Sequence, residues 1–189
     1  MKKLYSGNIG IDYGQFYIDA AFDDEDDLGL DEDYLDPDGA FEGQENGICG
    51  ASQQSKLFFV TGIQNGAISV DCEYHDSQPE LDESYEDIVE VSLVVSDKQL
   101  SLCEWGHEAT HKLELPKGEY RVRYLIQGMD KDYDDENEDE SDEYWEKPVP
   151  GQKHLIQIWS GKTAGDVVIK HTSVNARSWH REWGSMKAA

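Results

Sequence analysis

The sequence predicts an all-β fold, an antiparallel β-sandwich of about eight or nine short strands with long acidic loops. Three observations carry this prediction. Short runs with a period of two recur along the chain, turn-forming residues separate them, and no convincing amphipathic helix interrupts them.

The clearest run is 119–127. Tyr120, Val122, Tyr124 and Ile126 fall on one face, and Glu119, Arg121, Arg123 and Gln127 on the other, with Leu125 the exception. Successive side chains in a strand point to opposite faces, which assigns the tyrosine set to the core. Removing Tyr120 or Tyr124 is then expected to cost about 3–5 kcal/mol. Removing Arg121 or Arg123, which point away, is expected to cost far less. The other candidate strands are Ile9–Ile18, Lys56–Thr61, Ala67–Tyr74, Ile88–Val95, Gln99–Cys103, His111–Leu115, His154–Trp159 and Asp166–His171. Turn chemistry at Asn65-Gly66, Ser96-Asp97-Lys98, Pro116-Lys117-Gly118 and Gly161–Gly165 separates several of them. Residues 174–187 are compatible with a short terminal helix. No internal repeat is present.

The chain has 189 residues, of which 38% are hydrophobic and 11% aromatic, enough for one ordinary core and suited to a single domain over 1–189. Against 41 Asp and Glu stand 16 Lys and Arg, a net charge of −25. Nucleic-acid affinity comes largely from neutralising phosphates with a basic face, so direct DNA or RNA binding is excluded as a default. An anionic membrane surface is disfavoured on the same ground. Met1-Lys2-Lys3-Leu4-Tyr5-Ser6-Gly7 starts like a signal n-region but runs into polar residues, and no run approaches the ~18 apolar residues of a membrane span. Cys49, Cys72 and Cys103 are odd in number and widely spaced, without a CxxC. The expectation is a cytoplasmic protein with free, buried thiols.

The negative charge is concentrated. Residues 23–38 hold ten acids and no base, and residues 130–146 hold eleven acids and one lysine, so the two runs carry −20 of the −25 and leave −5 elsewhere. A solvated loop is the ordinary meaning of such a run. Both runs, however, carry aromatics in or beside them: Tyr34 and Phe41 at the first, Tyr133, Tyr144 and Trp145 at the second. Aromatics supply buried area while carboxylates steer and orient, a combination suited to docking on a protein. The candidate partner-binding residues are Asp23, Asp24, Asp26, Asp27, Asp31, Asp33, Asp130, Tyr133, Asp134, Asp135, Glu138, Asp139, Tyr144 and Trp145.

Metal chemistry is the competing reading. His107-Glu108-Ala109-Thr110-His111 matches the H-E-x-x-H pattern of zinc hydrolases, which requires a helix to aim both histidines at one ion. Here Gly106 precedes the motif, Pro116 closes it, and the alternation between them is that of a strand. In a strand the histidines would lie about 13 Å apart, too far to share an ion. A calcium frame with Asp36, Asp38, Gly39 and Glu45 at its third, fifth, sixth and twelfth positions has Tyr34 at the first, and Pro37 intrudes. No nucleophile triad, phosphate loop or dinucleotide fingerprint is present. Trp179-His180 reads as a packed aromatic beside a satisfied histidine. No catalytic residue, metal ligand or cofactor is assigned.

Several segments resemble the competence protein J family, small bacterial inhibitors of a DNA-processing nuclease, and related bacterial immunity-type proteins. Ile11-Asp12-Tyr13-Gly14-Gln15-Phe16-Tyr17-Ile18 is similar to the opening strand of that family, and Leu113-Glu114-Leu115-Pro116-Lys117-Gly118-Glu119-Tyr120 to its Leu-Pro-Lys-Gly-Asp-Tyr turn. Tyr120-Arg121-Val122-Arg123-Tyr124, Gly128-Met129-Asp130 and His154-Leu155-Ile156-Gln157-Ile158-Trp159 are similar to its longer relatives. The likeness spans most of the chain outside 23–47 and 131–150, the departures being the acidic runs. It implies a non-catalytic inhibitor that binds a basic protein, a nuclease or toxin, and binds neither nucleic acid nor membrane. Two other readings are a metal-binding protein or hydrolase using the HEATH segment, and an acidic component of a larger assembly.

Overall fold

The computed structural model describes residues 1–20, 37–132 and 147–185. Eleven strands form among them: β1 (Lys2–Ile11), β2 (Gln15–Ala20), β3 (Cys49–Gly50), β4 (Leu57–Val60), β5 (Gly66–His75), β6 (Asp87–Val95), β7 (Leu100–Cys103), β8 (Thr110–Leu113), β9 (Gly118–Gln127), β10 (Lys153–Ser160) and β11 (Val167–His171). A four-residue helix, α1 (Pro37–Ala40), precedes β3, and a terminal helix, α2 (Val174–Glu182), follows β11. Six strands make one sheet in the order β1-β5-β10-β9-β6-β11, and five make the other in the order β3-β4-β2-β7-β8. The two sheets share one core, a sandwich-like arrangement of the expected all-β class.

Three details depart from the expectation. The expected eight or nine strands become eleven, partly because Ile9–Ile18 is two strands joined by a tight turn. The Gln15 N–H donates to the Asp12 carbonyl, and Tyr13 and Gly14 both have left-handed φ, 54° and 71°. In addition, β1 starts at Lys2, where an exposed edge strand needs no apolar alternation. Nor is the fold wholly antiparallel: β10 runs parallel to β5 and antiparallel to β9.

The inner faces meet through aromatics. Phe16 stacks on Phe59 at 4.7 Å, and Phe59 meets Tyr124 edge-on at 4.9 Å, which joins the five-stranded sheet to the six-stranded one. Tyr120, Val122, Tyr124 and Ile126 are buried as expected. Arg121 and Arg123 are buried too, and this overturns their assignment to an open face. The segment 76–86 and the turn 161–165 lie over the outer face of the sheet. Arg123 donates to the carbonyls of Pro79 and Glu80, and Arg121 donates to that of Ala164. Between the two guanidinium groups sits Glu90, 2.8 Å from Arg123 Nη2 and 3.7 Å from Arg121 Nη2.

The outer face of the five-stranded sheet is covered by α2 and the residues after α1. Ser173 caps α2 by accepting the Ala176 N–H, and Trp179 and Trp183 stack at 4.3 Å, one turn apart. Trp183 then packs on Phe41 and Phe58. The tail that the sequence left open is thus a helix held by aromatic packing. Cys49, Cys72 and Cys103 are free and buried, as expected. No helix among the described residues is long and apolar enough to cross a membrane.

Candidate partner-binding surface

The acidic runs join the sandwich at opposite ends. β2 ends at Ala20, opposite Leu100 of β7. The chain returns through α1, where the Ala40 carbonyl accepts the Ser52 N–H. At this same end the Val94 N–H donates to the Gln54 carbonyl, so the end also holds the end of β6 and the start of β9, which pair at Val95 and Gly118. The other run leaves after Asp132 and returns at Lys147. Pro148 bridges Ala67, at the start of β5 and opposite Gly10 of β1. That is the end of the β1–β2 turn. Here Gly62 abuts the backbone of Met129 so closely that a Cβ would collide with its carbonyl.

Of the candidate residues, Asp23, Asp24, Asp26, Asp27, Asp31, Asp33, Tyr133, Asp134, Asp135, Glu138, Asp139, Tyr144 and Trp145 lie outside the described residues. So do Tyr34 and Asp36 of the calcium frame. Asp130 is exposed and placed with care: its two carboxylate oxygens accept the Val174 and Asn175 N–H groups, each at 2.8 Å. A carboxylate there complements the positive end of α2 and fixes the base of the second run to the helix.

A third acidic segment escaped the sequence reading. From Asp76 through Asp87 stand six acids and no base, spread among Ser, Gln and Pro rather than packed in a run. The segment lies across the outer face of the six-stranded sheet, anchored by Arg123 and by Lys170, whose Nζ donates to the carbonyls of Glu83 and Tyr85. Asp82 accepts from the Ser84 hydroxyl and N–H, which hold its carboxyl below the usual range. Burial, with Asp82, Asp71 and Glu73 nearby, pushes the Tyr85 phenol up. The acidic count of the sequence contained this signal; its position on the sheet did not show there.

The HEATH segment is a junction, as its flanking residues implied. A 3-10 turn at Trp105–His107 leads into β8. His107 stacks on Tyr17 and lies 3.8 Å from Asp19, whereas the His111 ring packs 4.5 Å from Tyr5. His107 is turned inward rather than toward solvent, and burial lowers its pKa. No group of three or more metal-ligating side chains is assembled among the described residues.

Two histidines are fully buried. His154 lies 2.7 Å from the Tyr124 hydroxyl through Nδ1 and 3.2 Å from Gln152 Oε1 through Nε2. The Gln152 amide N–H donates to the Lys131 carbonyl, which leaves its Oε1 facing the ring Nε2, and the Tyr124 hydroxyl lies 3.1 Å from the Val60 carbonyl as well as beside Nδ1. Burial pushes the pKa of His154 down to about 3. His180 accepts the Gly47 N–H at Nδ1, and burial, aided by His171, takes it to about 4. His180 is thus satisfied at one nitrogen only, since Nε2 is buried with no hydrogen-bond partner. The thiols are equally far from reactivity, with Cys103 pushed up to about 12 by burial.

The two-sheet fold has a structural counterpart. The crystal structure of ComJ from Bacillus subtilis, an inhibitor of the DNA-degrading activity of NucA, superposes with a TM-score of 0.50 over 85% of this chain and 98% of ComJ, at 18% identity. The chain shares the ComJ fold. Crocagin biosynthetic protein J is also similar, with a TM-score of 0.48 and 17% identity over 86% of this chain and all of that one. No protein-family model and no curated protein matches the chain. The resemblance to the competence protein J family, read from a strand and a turn, therefore holds at the level of fold.

Proposed function

We propose that the chain is a non-catalytic cytoplasmic inhibitor, one domain over residues 1–189, that binds and blocks a basic protein, a nuclease or toxin. The ComJ fold, that of a nuclease inhibitor, carries this reading. The charge supports it: −20 of the −25 lies in two runs of the chain. A nuclease must hold phosphates in a cationic cleft, and a carboxylate-rich segment is attracted to the same cleft. Because the runs join opposite ends of the sandwich, we assign the cleft to one of them, with Tyr133, Tyr144 and Trp145 as anchors if it is the second.

The test is inhibition of DNA degradation by NucA, read with increasing amounts of the chain. Dose-dependent inhibition at near-stoichiometric amounts is expected, and full activity in the presence of excess chain overturns the reading. Neutralising Asp23, Asp24, Asp26 and Asp27 to amides, or Asp134, Asp135, Glu138 and Asp139, then identifies the run that faces the partner. The effective set slows association on the order of 10-fold at low salt and flattens its salt dependence, with little change in dissociation. Trp145→Ala acts mainly on dissociation. Unchanged association in both sets would leave the runs as solubility devices.

A further inference from the structure

At the end of the sandwich where the β1–β2 turn lies, one side chain stands out. Tyr13 is 66% exposed, and it is the exposed aromatic among the described residues. It occupies the first central position of a two-residue turn with a φ of 54°, where L side chains other than Asn and Asp are disfavoured and a bulky ring most of all. Asn would satisfy the turn better, and Gly14 already supplies the second left-handed residue. Folding therefore does not explain the tyrosine.

Its neighbourhood repeats the pattern. The ring lies 5.1 Å from that of Trp105, which is itself partly buried against the core. Trp105 opens the 3-10 turn that contains His107, and Tyr13 and His107 are the non-glycine residues with positive φ among the described residues. Backbone of this kind concentrates where binding, rather than folding, selects the conformation. The two loops are also tied together, because Glu104 Oε1 accepts the Gly10 N–H at 2.8 Å. The ring is thus presented on a braced support.

The loops that carry the pair are acidic. Asp12, Glu104 and Glu108 flank the pair, and neither 12–14, 62–65 nor 104–109 contains a Lys or Arg. A rigid aromatic on acidic loops matches a cationic protein surface, onto which tyrosine brings large area at low entropic cost and where arginine stacks on its face. Resting on the inhibitor reading above, we propose that Tyr13, supported by Trp105, is the anchor that docks this end of the sandwich onto the basic partner.

The experiment compares the parent chain with Tyr13→Asn and Tyr13→Phe, reading thermal unfolding, oligomeric state and affinity for NucA. Tyr13→Asn should keep or raise the Tm, because Asn-Gly suits the turn, and weaken binding about 30-fold. Tyr13→Phe should keep most of the affinity. Binding of Tyr13→Asn within twofold of the parent overturns the anchor and leaves the inhibitor reading standing. A fall in both Tm and affinity for Tyr13→Asn makes the ring a structural residue and also overturns it. A dimer of the parent that dissociates in Tyr13→Asn assigns the surface to a second copy instead. Failure of the parent itself to bind NucA removes both readings together.

Discussion

Replacing Arg123 by alanine is expected to lower stability by about 3–5 kcal/mol, as much as replacing Tyr124 on the opposite face of β9. The arginine is 2% exposed, and its guanidinium group bonds Glu90 through Nε and Nη2 at 2.9 and 2.8 Å while lying 5.2 Å from the Trp159 ring. Alanine would leave Glu90 buried with Arg121 at 3.7 Å as its remaining cation. It would also strip the carbonyls of Pro79 and Glu80 of their donor, loosening the acidic segment that covers the sheet. The larger cost is the stranded carboxylate, because removing one partner of a buried pair exposes the full desolvation penalty of the other. Arg123→Lys should recover part of the loss, since an ammonium keeps the charge but not the fork that spans Glu90 and the two carbonyls. Urea unfolding of the three variants beside Tyr124→Ala measures this, with an unchanged slope on denaturant marking a true stability change. An Arg123→Ala protein within 0.5 kcal/mol of the parent would mean that the outer face is open to water after all.

Why that burial was hidden in the sequence is a matter of range. Alternation along 119–127 separates two faces, and the structure keeps that separation: Tyr120, Val122, Tyr124 and Ile126 enter the core together. Whether the second face meets water depends on residues 76–86 and 161–165, far away in the chain, and no local period reports on them. The same holds for the parallel pairing of β5 with β10, two strands about eighty residues apart. The split of Ile9–Ile18 was obscured for a different reason. A hairpin turn usually announces itself with Asn, Asp or Gly at both centres, and here Tyr13 takes the first. Of the candidate surface, the charge was legible because it is additive, so the −20 in two runs could be counted directly. Their attachment at opposite ends could not be counted, since it follows from strand order. His154 shows the limit most plainly: between Lys153 and Leu155 it reads as one more strand residue, and its three-membered polar chain with Tyr124 and Gln152 joins residues 28 positions apart or more only at its tyrosine end.

That buried chain carries the second large effect, a loss of stability on mild acidification between about pH 6.5 and 5. In the unfolded chain His154 and His180 titrate near 6.5, whereas in the fold burial holds them at about 3 and about 4. Below pH 6.5 the unfolded state therefore binds protons that the native state refuses, and stability falls with a slope approaching about 1.4 kcal/mol per pH unit for each histidine. His107, lowered in the same direction, adds to it. Asp87 works against them. Burial raises its pKa, so it is protonated earlier in the fold than in the unfolded chain, and acidification relieves a native-state cost. It is one group against three, and the lowered carboxyls of Asp71, Asp82, Glu114 and Glu119 lose their contribution only in more acid solution. The chain's charge of −25 is also intact in this window, because most carboxylates titrate below it and relieve repulsion only later. His154→Gln keeps a neutral hydrogen-bonding group beside Tyr124 and cannot take up the proton. It should be less stable than the parent at pH 7.5 yet show a flatter decline to pH 5, and His180→Gln should flatten the decline again. Urea unfolding at half-unit steps of pH reads both slopes. If parent and His154→Gln decline in parallel, His154 is not held neutral by its burial, and the acid response comes from other groups, His180 and His107 first among them.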